Sequence, residues 1–169
     1  MIKRTALTLL TLTLVGVTVD CGNPSSTTDV VSASRNEAFV RRWIDDGFNN
    51  RRLAVVDELF AEDFSVNGNV IGRHGLRQNM QRHLSGFPDL HVTIDDLVAD
   101  GEKVAVWYTA EGTHDGPFEG MPATGRRVKW IGSDLFYVDS GKITRALFLS
   151  DLKGLLAQLG ATRPYESRP

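Results

Sequence analysis

The sequence predicts an α+β fold in which a strongly curved antiparallel sheet holds helices on its concave side. Apolar residues recur at helical spacing in the first half of the folded region, as far as Phe87, and they alternate with polar residues from Leu90 onward. Helices followed by a meander of long strands are typical of α+β folds and not of alternating β–α–β units. Strands of this length coil, so the sheet and its helices are expected to enclose a conical cavity.

The N-terminal residues 1–21 have the order of an export signal. Two basic residues precede an uncharged run, 5–19, that is too short to span a membrane readily. Cys21 is the only cysteine and stands where a bacterial lipoprotein carries its lipidated residue, although Asp20 replaces the small residue usual before it. We therefore expect an exported protein, periplasmic or extracellular, that is either released or anchored to the membrane by a lipid on Cys21.

Residues 22–34 are rich in Ser and Thr and poor in apolar residues, which predicts a flexible linker. The folded domain is expected to span 35–160, followed by a tail, 161–169. Its first helix is predicted to begin at Ser34, because Ser34-Arg-Asn-Glu37 matches a capping box, and to end at Asn49-Asn50.

A short second helix around Val55 to Phe60 and a brief strand at 64–66 follow. A third helix is predicted over 72–87, where Pro88 ends it. Strands are then predicted from Leu90, over 104–112, over 126–138 and over 142–149, before a last helix over 152–159.

The connection 111–127 has four glycines and two prolines, which predicts a chain of turns. It also has His114, Phe118 and Met121, and apolar side chains of this kind are unusual in a loop that faces only water. We expect this connection to fold back as a roof over the mouth of the cavity.

Asp134 is the first candidate for acid–base chemistry. Period-two alternation places it on one mainly apolar face with Trp130 and Phe136. Such surroundings disfavour a charged carboxylate and raise its pKa, as general acids and bases often need. The alternatives are that Asp134 pairs with a basic neighbour or that a bulge at Gly132 turns it outward.

His114 and Asp151 are the other catalytic candidates. Histidine exchanges protons near neutral pH, although a lone histidine in a loop is often simply solvated. The alternation of the last strand places Ile143, Leu147, Leu149 and Asp151 on one face, so that Asp151 would lie beside the core. Asp151 would then serve the pocket, cap the final helix, or do both.

Two tryptophans and one histidine are candidates for lining a pocket. Trp107 and Trp130 suit flat apolar rings, with aromatic core as the alternative, and His83 lies on the inner edge of the third helix. The histidines do not fall at metal-ligand spacing, so no metal is expected. A net charge of -2 offers no basic face for nucleic acid.

Five motifs occur in this order: Phe87-Pro-Asp-Leu90, Gly112-Thr-His-Asp-Gly116, Phe118-Glu-Gly-Met-Pro-Ala-Thr-Gly125, Gly141-Lys-Ile143 and Asp151-Leu-Lys-Gly-Leu-Leu-Ala-Gln-Leu-Gly160. Together they resemble the SnoaL-like polyketide cyclase, or ester cyclase, family of the nuclear-transport-factor-2-like superfamily. The resemblance implies a cone-shaped α+β domain, a homodimer formed through the convex sheet face, and ring closure by intramolecular aldol condensation without cofactor or metal. It matches His114 and Asp151 to family positions and puts Gly125 where the antibiotic cyclases have an acid–base aspartate.

These observations lead to one hypothesis of function. We expect an exported domain that binds a small apolar molecule and acts as a cofactor-independent cyclase or isomerase, with His114, Asp151 and Asp134 moving protons. The predicted substrate-binding residues are Trp107, Phe118, Met121, Trp130 and His83. The alternatives are a non-catalytic binding module that uses the same pocket and a dimeric interaction domain whose cone is filled by side chains.

Overall fold

The computed structural model describes residues 27–161. The predicted export signal, Cys21 and almost all of the predicted tail lie outside the described residues. The described chain forms α1 (Thr27–Arg42), a π-helical segment (Trp43–Asn49), α2 (Val55–Leu59), β1 (Phe60–Val66), β2 (Asn69–Val70), α3 (Gly72–Gly86), β3 (His91–Asp100), β4 (Lys103–Thr113), β5 (Arg127–Asp139), β6 (Lys142–Ser150) and α4 (Leu152–Leu159).

The strands form one open sheet in the order β2-β1-β6-β5-β4-β3. From β3 to β6 the chain is an antiparallel meander, as the sequence predicts. β1 joins the edge of this meander parallel to β6, which is possible because α3 and four strands separate the two along the chain. The α+β prediction is therefore confirmed, with one parallel pairing added to the antiparallel sheet.

The helices cover one face of the sheet. α1 packs on β3 and β4, α3 on β1, and α4 on β5. Residues of the covered face, such as Val106 and Phe136, are fully buried, whereas Trp107 and Ile131 on the opposite face are exposed. Within residues 27–161, no helix is long and apolar enough to cross a membrane.

The first helix begins earlier than the sequence predicts. Helical structure starts at Thr27, so Ser34 lies inside α1 and the capping box does not mark its start. No Gly or Pro interrupts the chain between the two positions, and Asn36 anchors the helix by donating a hydrogen bond of 2.8 Å to the Gly101 carbonyl oxygen. The second half of the predicted linker is thus helical.

The inward face of β6 also differs from the prediction. The pairing of β5 with β6 shifts at Thr144, which is an extra residue on β6. One extra residue reverses the side of every side chain that follows it. Ile143 is buried as expected, but Leu147 and Leu149 lie on the exposed outer face, and Ala146 and Phe148 take the inner positions.

Candidate active site

A cavity of about 160 Å³ lies between the inner face of the sheet and the helical segments opposite it. Most of its wall is apolar, and the apolar lining residues are Trp43, Ile44, Phe48, Leu90, Val92, Ala110, Trp130 and Phe148. Its polar lining residues are Asn79, His83, Tyr108, Asp134 and Ser150. Since one water occupies roughly 10–15 Å³ on this measure, the cavity has room for a small molecule of about ten heavy atoms.

The π-helical segment supplies the helical wall of the cavity. Its wider turn carries Trp43, Ile44 and Phe48 to the lining, and π-helical turns are frequent at functional sites. The Trp43 ring packs edge-on against both Phe48 and Phe60, with centroid distances of 5.1 and 4.8 Å. These contacts fix the aromatic wall before any ligand binds.

Asp134 carries its carboxyl group into this apolar cavity. β4 and β5 pair without interruption past Gly132, so no bulge turns Asp134 outward. Its Oδ1 accepts a hydrogen bond of 3.3 Å from the Leu149 amide, and it forms no ion pair with any residue in 27–161. Burial raises the pKa of Asp134 to about 7, because the apolar surroundings penalise the charged form. At neutral pH this carboxyl group can both give and take a proton.

His83 lines the same cavity from α3. Its Nδ1 lies 2.9 Å from the Asn79 carbonyl oxygen, which can only accept, so Nδ1 carries the hydrogen in this contact. In the neutral ring Nε2 is then the unprotonated nitrogen and a possible base. Burial lowers the pKa of His83, against the opposing effect of the Asn79 hydrogen bond, and so favours the neutral ring.

Tyr108 lies on β4 directly opposite Gly132 of β5. Its side chain lines the cavity on the same inner face as Asp134. Burial, with the Asp134 charge as a second cause, raises the pKa of Tyr108 and keeps its hydroxyl protonated. The alternation of β4 and the glycine at position 132 are the sequence signals for this residue, which is not among the predicted site residues.

The structure brings three of the eight predicted site residues to the cavity wall: Asp134, Trp130 and His83. Trp107 lies on the outer face of the sheet with 47% of its surface exposed. Phe118 packs in the core with its ring centroid 5.2 Å from His83 and 5.0 Å from Phe87, behind the lining. Met121 pairs with Phe118 through their backbones. Phe118 therefore supports His83 from behind and does not face the cavity.

His114 is fully buried away from the cavity lining. Its Nδ1 lies 3.0 Å from Thr124 Oγ1, its ring packs 5.3 Å from Phe87, and its Nε2 has no partner among the described residues. Burial lowers the pKa of His114. Its catalytic role stays a prediction, and the structure does not join it to Asp134.

Asp151 is exposed at the start of α4, outside the inner cavity. Its Oδ1 accepts a hydrogen bond of 2.8 Å from the Gly154 amide, which is the helix cap foreseen as one of its two roles. The face shift at Thr144 explains why Asp151 lies on the outer side with Leu149. Its pocket role also stays a prediction.

The connection between β4 and β5 packs over the C-terminal end of α3. The Asp115 and Gly116 amides both donate to the Gly86 carbonyl oxygen, at 3.1 and 3.2 Å. A Cβ atom on Gly116 would overlap the Ser85 carbonyl oxygen, so only glycine permits this approach. The connection closes one end of the core, beside the helix that carries His83.

Within residues 27–161, no group of three or more His, Cys, Asp or Glu side chains is arranged to hold a metal ion. The polar groups at the cavity are suited to proton transfer and hydrogen bonding.

Solved structures from several bacteria resemble this chain. A protein described as a SnoaL-like polyketide cyclase, from Jannaschia sp. CCS1, matches with a TM-score of 0.72 and 25% identity, over 84% of this chain and 100% of its own. TsrD from Streptomyces laurentii matches with a TM-score of 0.70 and 28% identity, over 76% of this chain and 96% of its own. IdmH from Streptomyces antibioticus, described as a polyketide cyclase, matches with a TM-score of 0.66 and 29% identity, over 75% of this chain and 99% of its own.

No curated protein sequence matches the chain. The family model of the SnoaL-like polyketide cyclases matches residues 38–159, which is most of the chain and nearly all of its folded domain. The resemblance seen in the sequence motifs is confirmed, and the chain belongs to the SnoaL-like polyketide cyclase family.

Proposed function

We propose that this protein is a cofactor-independent enzyme of the cyclase or isomerase kind, which moves a proton at a carbon beside a carbonyl group. One observation carries the proposal: Asp134 places a carboxyl group with a pKa of about 7 in a mainly apolar cavity, where no cation from residues 27–161 balances it. A group whose pKa lies near the working pH is the most effective proton carrier. The family membership supports the same class of chemistry.

Asp134 and His83 approach the cavity from different elements, β5 and α3. In the proposed reaction one of them takes the proton from the carbon and the other returns it elsewhere on the substrate. Asp134 is the better candidate for the first step in its ionised form, because an unpaired carboxylate in apolar surroundings is a strengthened base. Trp130 and the other aromatic residues would hold the ring of the substrate.

The test is exchange of the hydrogens next to a carbonyl group for deuterium, which reports proton removal without knowledge of the product. A panel of small cyclic ketones and esters would be incubated with the protein in D₂O and followed by NMR. We expect Asp134→Asn to slow exchange by about 100-fold or more. The matched control is Asp139→Asn on the same strand, where the carboxylate is exposed and accepts a hydrogen bond from Ser140.

Equal exchange by wild type and Asp134→Asn would contradict this assignment and return attention to His114 and Asp151. Tight binding with no exchange in wild type would instead support the alternative of a ligand-binding module.

We further propose that the protein forms a homodimer through the outer face of the sheet. Large apolar side chains lie exposed there on adjacent strands, among them Trp107 at 47%, Ile131 at 63% and Leu149 at 68%. Exposed apolar patches of this kind are typical of protein interfaces.

Export is the remaining part of the proposal, supported by the N-terminal signal pattern and Cys21. Cell fractionation of the wild type beside Cys21→Ser would test it. A membrane-bound wild type and a released variant would indicate lipid attachment, whereas a cytoplasmic wild type would contradict export.

A further inference from the structure

The inner face of the β4–β5 pair places a phenol directly on the backbone of the strand that carries Asp134. Tyr108 lies opposite Gly132, and Asp134 follows two positions later on the same face. A Cβ atom on Gly132 would lie 2.7 Å from Tyr108 Cε2 and closer still to Cζ and the hydroxyl oxygen. The phenol ring therefore crosses over the glycine, and the missing side chain of Gly132 makes the space for it.

The Tyr108 hydroxyl group is a hydrogen-bond donor without an acceptor among the described residues. Tyr108 lines the cavity, and its hydroxyl forms no hydrogen bond with any residue in 27–161. Tyr108 is half-buried, and a hydroxyl that is shielded from water normally has a partner, because an unpaired polar group costs free energy. The cavity that Tyr108 lines offers space into which this hydroxyl can donate.

We propose that Tyr108 is an oxyanion donor for a substrate that passes through an enolate. This inference rests on the proposed function, since it concerns the same cavity. The substrate class is a small ketone or ester with a removable hydrogen beside its carbonyl group, of about the ten heavy atoms that the cavity admits.

The chemistry balances without any further reagent. A base takes the proton from the carbon beside the carbonyl group, and the electron pair of that C–H bond becomes the C=C bond of the enolate. The π electrons of the carbonyl group move to its oxygen, which becomes negative and accepts the Tyr108 hydrogen bond. Return of a proton to another carbon completes an isomerisation. Attack of the enolate carbon on a second carbonyl group, followed by protonation of the new alkoxide, completes a ring closure.

If Tyr108 had only a packing role, its ring alone would matter. If it is an oxyanion donor, its hydroxyl group is essential, so removal of the hydroxyl distinguishes the two roles. Tyr108→Phe keeps the ring over Gly132 and removes only the donor. Tyr137→Phe is the matched control, because Tyr137 lies on β5 with its ring against the Arg145 guanidinium, outside the cavity.

The probe is 4-nitrophenolate, an aromatic oxyanion of suitable size whose neutral and ionised forms absorb differently. 4-Nitroanisole, which has nearly the same shape and no ionisable oxygen, is the neutral reference. Binding would be titrated in the full chain with Asp134→Asn as the background, so that no carboxylate repels the anion. We expect Tyr108→Phe to weaken phenolate binding by about 10- to 100-fold, to leave nitroanisole binding unchanged, and Tyr137→Phe to change neither.

The proposal is overturned if Tyr108→Phe weakens both probes equally or neither of them, or if the parent protein does not prefer the phenolate to the anisole. Failure of the two proposals can be told apart. Exchange that depends on Asp134, combined with phenolate binding that ignores Tyr108, would leave the enzyme proposal standing without this donor. Selective phenolate binding through Tyr108, with no exchange of any ketone, would leave an anion-binding site and remove the enzyme proposal.

Discussion

Replacing Asp134 with asparagine should make the protein more stable while it removes the proposed proton carrier. Asparagine keeps the shape of the side chain and an oxygen that can accept from the Leu149 amide. It does not ionise, so the variant never carries a buried charge. The expected gain in the free energy of unfolding therefore depends on pH.

The size of that gain follows from the pKa of Asp134, which rises from its ordinary value of 3.8 to about 7 on folding. Between these two values the unfolded chain releases the proton while the folded chain keeps it, so the stability of the wild type falls as pH rises through this window. Each pH unit is worth about 1.4 kcal/mol. The variant should therefore exceed the wild type by about 2 kcal/mol at pH 5 and by about 4 kcal/mol at pH 8.5, and the two should converge below pH 4.

Urea denaturation of both proteins at these pH values would measure the difference, and all other titrating groups cancel between them. Asp139→Asn, which removes an exposed carboxylate from the same strand, is the matched control for this measurement. A constant difference between wild type and Asp134→Asn from pH 5 to pH 8.5 would refute the raised pKa and, with it, the basis for choosing Asp134 as the proton carrier.

Three more predictions concern the surroundings of the cavity. Gly132→Ala should lower the free energy of unfolding by about 1–3 kcal/mol because its Cβ overlaps Tyr108, and should cost almost nothing in a Tyr108→Ala background. An equal cost in both backgrounds would contradict the close contact. Asp151→Ala removes the cap of α4, so its free energy of unfolding, measured by denaturation, should fall by about 1 kcal/mol while exchange activity stays complete. A loss of exchange would support a catalytic role for Asp151. Leu149→Glu should give a monomer in analytical ultracentrifugation, whereas Val70→Glu on β2, where Val70 is 74% exposed, should remain a dimer. A dimer in both variants would exclude the outer face as the dimer interface.

Simple alternation predicted the central strand well because nothing interrupts it. The β4–β5 register runs without a shift from Lys103 opposite Tyr137 to Thr113 opposite Arg127. The inward set that contains Trp130 and Asp134 was therefore readable from one strand alone. The order of helices and strands followed for the same reason: each period is local, and the sequence changes period clearly after Phe87.

The observed positions differ from the predicted ones where the fold depends on contacts between segments distant in the sequence. The bulge at Thr144 lies in a stretch without Gly or Pro, so nothing local marks it, yet it sends Asp151 to the outer side. Tyr108 gains its position from Gly132, which is distant in sequence and near only after the strands pair. His114 has a sequence typical of a functional histidine, but its loop folds onto α3 and buries the ring behind Phe87.

The surroundings of Asp134 differ from those of two other carboxylates in this chain. Asp46 and Glu58 share the Arg52 guanidinium, whose hydrogen bonds lower the pKa of both groups and so favour their charged forms. Asp134 accepts a hydrogen bond from one amide and meets no cation among residues 27–161, in apolar surroundings that a leucine or asparagine would occupy at lower cost. Packing alone gives no reason for a carboxyl group there, since its presence destabilises the fold at neutral pH. Proton transfer does give a reason, because the same burial that costs stability is what brings the pKa of Asp134 to the pH at which an acid–base catalyst works best.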